Sequence, residues 1–144
     1  MKILVINGPN LNMLGIREPE IYGSKTYKDL EQYIQDISKK LNISEIEIFQ
    51  SNHEGVIVDK IQKAYFDKVD GIIINPGAFT HYSYSIRDAI ASVNIKTIEV
   101  HLSDISKRDD FRKTSVLEGV VNFRFFGKGF ASYKEALESL VVKN

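Results

Sequence analysis

The strongest constraint on the fold is a regular alternation between short apolar runs and longer segments with helical periodicity. Two of the runs, Ile3–Ile6 and Gly71–Ile74, are continuously apolar, which is typical of strands covered on both faces. Strands that alternate with helices predict a parallel sheet with right-handed crossovers. Five strands are predicted, at Ile3–Ile6, Ile46–Phe49, Gly71–Ile74, Thr97–Val100 and from Val120 to about Phe125.

Between and after these strands, apolar residues recur at spacings of three and four. Thr26 is a plausible cap before the first of the helices that this spacing predicts. The helices are expected at Tyr27–Leu41, Val56–Phe66, Tyr82–Val93 and Ser132–Val142. The pattern predicts an α/β fold, a five-stranded parallel sheet between two helical layers, with residues 1–144 forming a single domain.

Composition narrows the function classes. Lysine and arginine number 19 and are balanced by 19 aspartates and glutamates, so nothing indicates nucleic acid or an anionic membrane as a partner. The absence of cysteine excludes disulfides and thiol chemistry. The first apolar run is too short for a signal-peptide core, and no run reaches membrane-spanning length. We therefore expect a cytoplasmic protein.

Ligands of open parallel sheets bind beyond the carboxyl ends of the strands. The segments that follow the predicted strands contain all three histidines of the chain, together with several amides and arginines. These residues are Asn10, Arg17, Tyr22, Asn52, His53, Asn75, His81, His101, Ser103 and Arg112. A purely structural protein has no need to collect such groups at one edge, so we predict a binding or catalytic site there.

Glu99 and His101 are the most informative pair. They are two residues apart on a predicted strand, so their side chains point to the same face. A carboxylate in a buried strand is costly unless it is partnered. A carboxylate that orients a histidine and supports its charged form provides a general acid or base.

Two other pairs have an ordinary structural explanation as well as a functional one. Arg17 and Tyr22 are compatible with a surface packing pair, but a close guanidinium would also favour the phenolate form of Tyr22 and make it a general base. His81 and Asp88 share a helical face, yet His81 is equally compatible with a position beside a helix cap, and Asp88 with a solvated pair with Arg87.

Several common chemistries are not supported. The loop from Asn7 to Gly15 lacks both the dinucleotide-binding glycine pattern and a P-loop ending. The histidines lack compact metal-ligand spacing, and no nucleophile-elbow motif for a serine triad occurs. A non-catalytic flavodoxin-like binding or signalling domain is the alternative class. A receiver domain would carry paired acidic residues after the first strand, but this chain has Asn7-Gly8 there. A flavin carrier would carry a Ser/Thr-rich phosphate loop, which the sequence also lacks.

Several sequence blocks, in order along almost the whole chain, resemble the type II 3-dehydroquinate dehydratase family. The blocks are Asn7–Asn12, Leu14-Gly15, Arg17–Pro19 with Tyr22-Gly23, Gln50–Gly55, Ile74–Ala78, Thr80-His81, Ser85–Ala89 and Ile98–Ser103. The resemblance implies a flavodoxin-like fold, a cofactor-free and metal-free hydro-lyase reaction, and a homododecamer built from trimers. The chain differs from the family's usual residues at Asp104, Ser106 and Lys113, and in the segment 122–130, which contains Arg124.

The resemblance also implies a role for individual residues. Tyr22 would accept the substrate proton, with Arg17 beside the developing enolate and Asn10 holding a water that stabilises it. His101 would donate a proton to the departing hydroxyl, oriented by Glu99. The substrate would be bound by Asn75, His81, Arg112 and the backbone around Leu102 and Ser103, and Asp88 would reach the substrate of a neighbouring subunit.

Overall fold

The computed structural model describes residues 1–16, 20, 24–107 and 109–142. This part of the chain contains one five-stranded sheet in the spatial order β2-β1-β3-β4-β5, and every neighbouring pair of strands is parallel. The strands are β1 (Lys2–Asn7), β2 (Glu45–Gln50), β3 (Gly71–Asn75), β4 (Lys96–His101) and β5 (Phe123–Phe126). This strand order is that of flavodoxin-like proteins, so the predicted fold class is confirmed.

The helices follow the predicted periodicity closely. Thr26 caps the first helix through a capping box, in which its hydroxyl accepts from the backbone N–H of Asp29 and the Asp29 carboxylate accepts from the backbone N–H of Thr26. The helices are α1 (Tyr27–Lys40), α2 (Glu54–Phe66), α3 (Tyr84–Val93), α4 (Asp110–Lys113) and α5 (Ala131–Val141). Within the described ranges, no helix is long and apolar enough to cross a lipid bilayer.

The helices cover both faces of the sheet and create two hydrophobic layers. Successive strand residues point to opposite faces, so Ile3 and Val5 of β1 pack with α1 and α5, whereas Leu4 and Ile6 pack with α2 and α3. The chain that follows β1 leads to α1 on one face of the sheet, whereas the chain that follows β3 leads to α3 on the other face. A crevice therefore opens between these segments, beyond the carboxyl ends of β1 and β3.

The second helix begins at Glu54 rather than at the predicted Val56. Two other predicted boundaries are wrong for local reasons. The fifth strand begins at Phe123, because Val120 and Val121 lie in a turn in which both backbone N–H groups donate to the carbonyl of Leu117. The third helix begins at Tyr84 rather than Tyr82, because the preceding residues Gly77–His81 form a 3₁₀ helix and Ser83 caps the α-helix. The short helix α4 was not predicted.

Candidate active site

A cleft lies at the carboxyl edge of the sheet, over the crevice between β1 and β3. Its lining comes from the segments that follow β1, β3 and β4 and from α4. The lining residues are Pro9, Asn10, Leu11, Leu14, Asn75, Gly77, Ala78, His81, His101, Leu102, Ser103, Ile105 and Arg112. The cleft lies at the edge of the sheet where the site is predicted, and seven of the predicted site residues are brought together there.

The cleft suits a small, polar and anionic ligand. Its volume is about 130 Å³, and among the described residues that line it there is no carboxylate. Arg112 supplies a permanent positive charge, and two histidines add groups that can become positive. No group of three or more His, Cys, Asp or Glu side chains in the described ranges is arranged to hold a metal ion.

The chemical centre of the cleft is the His101–Glu99 pair. Nε2 of His101 lies 2.5 Å from Oε2 of Glu99, whose side chain is 0% exposed and lies behind the histidine. The hydrogen bond fixes the plane of the imidazole and occupies Nε2, so Nδ1 is the ring nitrogen left to exchange a proton with a ligand. The pair therefore has the geometry of an oriented general acid or base.

Glu99 is stabilised as a carboxylate by several donors from distant parts of the chain. The hydroxyl of Thr80 donates to Oε2 at 2.7 Å, and the hydroxyl of Ser115 donates to Oε1 at 2.9 Å. Burial alone would raise the pKa of Glu99, but the hydrogen bond and charge of His101 and these two hydroxyls outweigh burial and lower the pKa below its ordinary value. Glu99 is thus a buried anion next to His101, as its strand position predicted.

Asn75 is held by a buried network on the opposite face of the sheet. Its Nδ2 donates to the hydroxyl of Tyr133 at 2.9 Å, and that hydroxyl donates to Oδ1 of Asn7 at 2.6 Å. Nδ2 of Asn7 in turn donates to the hydroxyl of Tyr27 at 3.2 Å. The backbone N–H of Gly77 donates to Oδ1 of Asn75 at 3.2 Å. These bonds determine which end of the Asn75 amide faces each side of the cleft.

The loops that carry Asn10 and Asn75 are packed against each other through their backbones. The N–H of Gly8 donates to the carbonyl of Asn75 at 2.7 Å, and a Cβ atom on Gly8 would lie 2.6 Å from the carbonyl oxygen of Pro76. Only glycine permits this approach. Asn10 itself has a positive φ of 70°, and its backbone N–H donates to Oδ1 of Asn52 at 3.0 Å. The position of Asn10 is thus set by its neighbours.

His81 and Arg112 form the outer wall of the cleft. Nδ1 of His81 lies 2.7 Å from the carbonyl oxygen of Thr114, so Nδ1 carries a proton and donates it to that oxygen. The guanidinium carbon of Arg112 lies 4.8 Å from the ring centroid of Phe111, and the rings of His81 and Phe111 are 5.9 Å apart. Phe111 thus fixes both polar side chains by contact with its ring.

The other predicted residues either lie outside the described part of the chain or do not line the described cleft. Arg17 and Tyr22, the predicted base and its partner, lie outside the described residues. Asp88 is exposed on α3 and does not line the cleft of its own chain. Asn52 and His53 follow the edge strand β2; Asn52 supports the Asn10 loop instead, and His53 precedes α2.

Sequence reasoning missed the groups that support the site from behind. Thr80, Ser115, Tyr133 and Arg124 are far from Glu99 or Asn75 in sequence, and no spacing pattern connects them to either residue.

The departure at Asp104 and Ser106 has a local explanation. Oδ1 of Asp104 accepts from the backbone N–H and the hydroxyl of Ser106, and these bonds lower the pKa of Asp104.

Comparison with known proteins identifies the family to which the chain is similar. The family model described as Dehydroquinase class II matches residues 1–141. A 3-dehydroquinate dehydratase of Lachnospira eligens is 56% identical over 142 residues, which cover 98% of this chain and 96% of the relative. One from Caldicellulosiruptor bescii is 58% identical over 139 residues, with 96% and 95% covered. The crystal structure of a type II dehydroquinase from Butyrivibrio crossotus superposes with a TM-score of 0.96 at 57% identity, covering 99% of this chain and 98% of the other.

The fold and the cleft define a flavodoxin-like α/β protein in which a hydrogen-bonded His–Glu pair on β4 borders a cleft at the carboxyl edge of the sheet. With a family model that spans almost the whole chain, the chain belongs to the class II dehydroquinase family. The prediction that it is an enzyme of that family is confirmed.

Proposed function

We propose that the protein removes water from 3-dehydroquinate to give 3-dehydroshikimate, the third step of the shikimate pathway to chorismate and the aromatic amino acids. The observation that carries the proposal is the His101–Glu99 pair in a cleft that holds an arginine and, among its described lining residues, no carboxylate. The relatives named 3-dehydroquinate dehydratase, at 51–58% identity, support the choice of substrate.

The reaction needs a base, a stabilised enolate and an acid. A base takes a proton from the carbon next to the ketone, the enolate forms, and the hydroxyl two carbons from the ketone leaves as water. We assign the base to Tyr22, with Arg17 beside it favouring the phenolate. Asn10, in the loop after β1, holds a water against the enolate oxygen. Loss of the proton and the hydroxyl from opposite faces makes the elimination anti.

His101 is the acid in this proposal. Hydroxide is a poor leaving group, so a proton must reach the oxygen as the C–O bond breaks. Because Nε2 of His101 is bound to Glu99, Nδ1 delivers the proton. Glu99 faces the imidazole with a negative charge that stabilises the imidazolium form, and as a fully buried carboxylate with two hydroxyl donors it does not need to take up the proton itself.

Substrate binding uses the rest of the cleft. Arg112 pairs with the substrate carboxylate, and Asn75, His81 and the backbone at Leu102 and Ser103 bind its hydroxyl and carboxylate oxygens. Asp88, exposed on α3, reaches the substrate of a neighbouring subunit in a dodecamer of trimers. The reaction requires neither metal nor cofactor, and the enzyme works in the cytoplasm.

The test is an ultraviolet assay with 3-dehydroquinate, because the conjugated enone product absorbs where the substrate does not. The purified chain should raise the absorbance, His101→Ala should lose most of the rate, and His53→Ala, an exposed histidine outside the cleft, should keep it. A folded parent protein that gives no absorbance change would overturn the proposed function. If the parent protein is active, substrate deuterated on one face of the carbon next to the ketone shows whether the elimination is anti, because the product either keeps or loses the deuterium.

A further inference from the structure

The Glu99 carboxylate faces a second cation besides His101. Arg124 of β5 is the register partner of Glu99 in the parallel β4–β5 pair, so the two side chains point to the same face of the sheet. Nε of Arg124 lies 3.6 Å from Oε1 of Glu99, whereas His101 binds Oε2. The two oxygens of one buried carboxylate therefore serve two different cations.

The contact with Arg124 is buried and incompletely satisfied. Among the described residues, Nε of Arg124 is buried without a hydrogen-bond partner, because its distance to Oε1 lies just beyond hydrogen-bond range. The nearer donor to Oε1 is the hydroxyl of Ser115 at 2.9 Å. The Arg124 guanidinium carbon also lies 5.8 Å from the ring centroid of Phe126, two residues along the same strand. Arg124 thus acts on Glu99 through its charge more than through a hydrogen bond.

We propose that Arg124 is a positioning residue that shares the Glu99 carboxylate with His101 and so limits how strongly Glu99 holds the charged form of the imidazole. The inference rests on the proposed role of His101 as the acid. Arg124 lies in the segment 122–130, which differs from the usual pattern of the family.

The sign of the effect follows from the charges around the pair. A positive guanidinium repels an imidazolium and neutralises part of the carboxylate charge that the imidazolium sees. Besides His101, the titratable or charged groups that line the described cleft are His81 from the 3₁₀ helix and Arg112 from α4, both on the outer wall. Asp104 follows β4 but is not among these lining residues. Among the described cations other than His101, Arg124 is the one within ion-pair distance of Glu99. Removing its charge should strengthen the hold of Glu99 on charged His101.

The experiment is a proton titration of the imidazole rings by NMR, in protein labelled only at histidine. The chain has three histidines, so His53→Gln and His81→Gln assign the signals and identify the His81 contribution. Arg124→Met and Arg124→Gln remove the charge, and Arg124→Lys retains it. Lys134→Gln is the matched control, because Lys134 is exposed on α5, which packs on the other face of the sheet.

In both neutral variants we expect the titration midpoint of His101 to move to higher pH by about 0.5 to 1 unit, and the alkaline limb of kcat/KM to move with it. Arg124→Lys should move it less, and Lys134→Gln should leave it in place. An unchanged His101 midpoint in a folded neutral variant would overturn the inference. So would a result in which both neutral variants fail to fold while Arg124→Lys folds, since Arg124 would then be a structural counter-ion. The titration needs no turnover, so its failure is distinct from failure of the dehydratase proposal.

Discussion

Replacing Tyr133 with phenylalanine removes one buried oxygen and leaves the ring in place. Tyr133 is 0% exposed, and its hydroxyl both donates to Asn7 and accepts from Asn75. The change leaves Oδ1 of Asn7 without its donor and Nδ2 of Asn75 without its acceptor. An unsatisfied buried polar group costs about 1–3 kcal/mol, so with two such groups the free energy of unfolding should fall by about 2–6 kcal/mol.

The same substitution should weaken substrate binding, because Asn75 faces the cleft and loses one of the bonds that orient its amide. One net hydrogen bond is worth about 1 kcal/mol, which corresponds to roughly a fivefold rise in KM. We expect kcat to change less, because the His101–Glu99 pair lies on the other face of the sheet and, among the described residues, shares no hydrogen bond with this network.

The assays are urea unfolding at one fixed protein concentration and steady-state kinetics on the folded variant. Tyr33→Phe is the matched control, because the Tyr33 ring packs on Phe130 and its hydroxyl makes no hydrogen bond within the described ranges. The control should stay within about 0.5 kcal/mol of the parent. If Tyr133→Phe were equally stable and bound substrate with the parent KM, the network would not position Asn75 and this reasoning would be refuted.

Further predictions concern the acid, its carboxylate, the base and metals. His101→Ala should lose on the order of a hundredfold in kcat while circular dichroism shows a folded protein; parent-like turnover would remove His101 from the mechanism. Glu99→Gln should lose less, and the alkaline limb of its pH–rate profile should move to lower pH, because an amide does not hold an imidazolium; an unmoved limb would contradict this support. The pKa of Glu99 is lowered from its ordinary value of 4.5, so its contribution to stability is present above that pH and is lost as the pH falls through the folded-state value. Urea unfolding between about pH 5 and pH 3 should therefore show a steeper loss of stability in the parent than in Glu99→Gln, and equal slopes would argue against a lowered pKa. Tyr22→Phe should keep substrate binding, measured by calorimetry, but abolish most turnover, and a near-parent rate would exclude Tyr22 as the base. Dialysis against a chelator should leave the rate unchanged, whereas activity restored by a divalent ion would overturn the metal-free mechanism.

The parts of the fold that the sequence predicts well depend on local patterns. The continuously apolar run Ile3–Ile6 and the Thr26 cap are read from neighbouring residues, and both match the structure. The start of β5 is different, because Val120 and Val121 have strand-like side chains but bond in a turn to Leu117. Apolar character alone does not distinguish a strand from a buried turn, and long-range pairing with β4 decides where the strand begins.

The candidate site divides in the same way. Glu99 and His101 are two residues apart, so their shared face follows from strand geometry, and the structure brings them into contact. Thr80 and Ser115, whose hydroxyls stabilise the buried Glu99 carboxylate, come from other segments, and only folding brings them into contact with it. Arg124 lies in the segment 122–130, which differs from the usual family pattern, but its contact with Glu99 follows only from the β4–β5 register.

The tight packing of Gly8 on Pro76 limits how the substrate range of this enzyme can be changed. Because backbone atoms meet backbone atoms there, no side chain at position 8 can be varied to widen or narrow the cleft without separating β1 from β3. Specificity in a mutant library should instead be sought at Leu11, Leu14 and Ile105, whose side chains line the cleft. Substitutions there reshape the wall, while the distance between Asn10 and Asn75 stays fixed by the main chain.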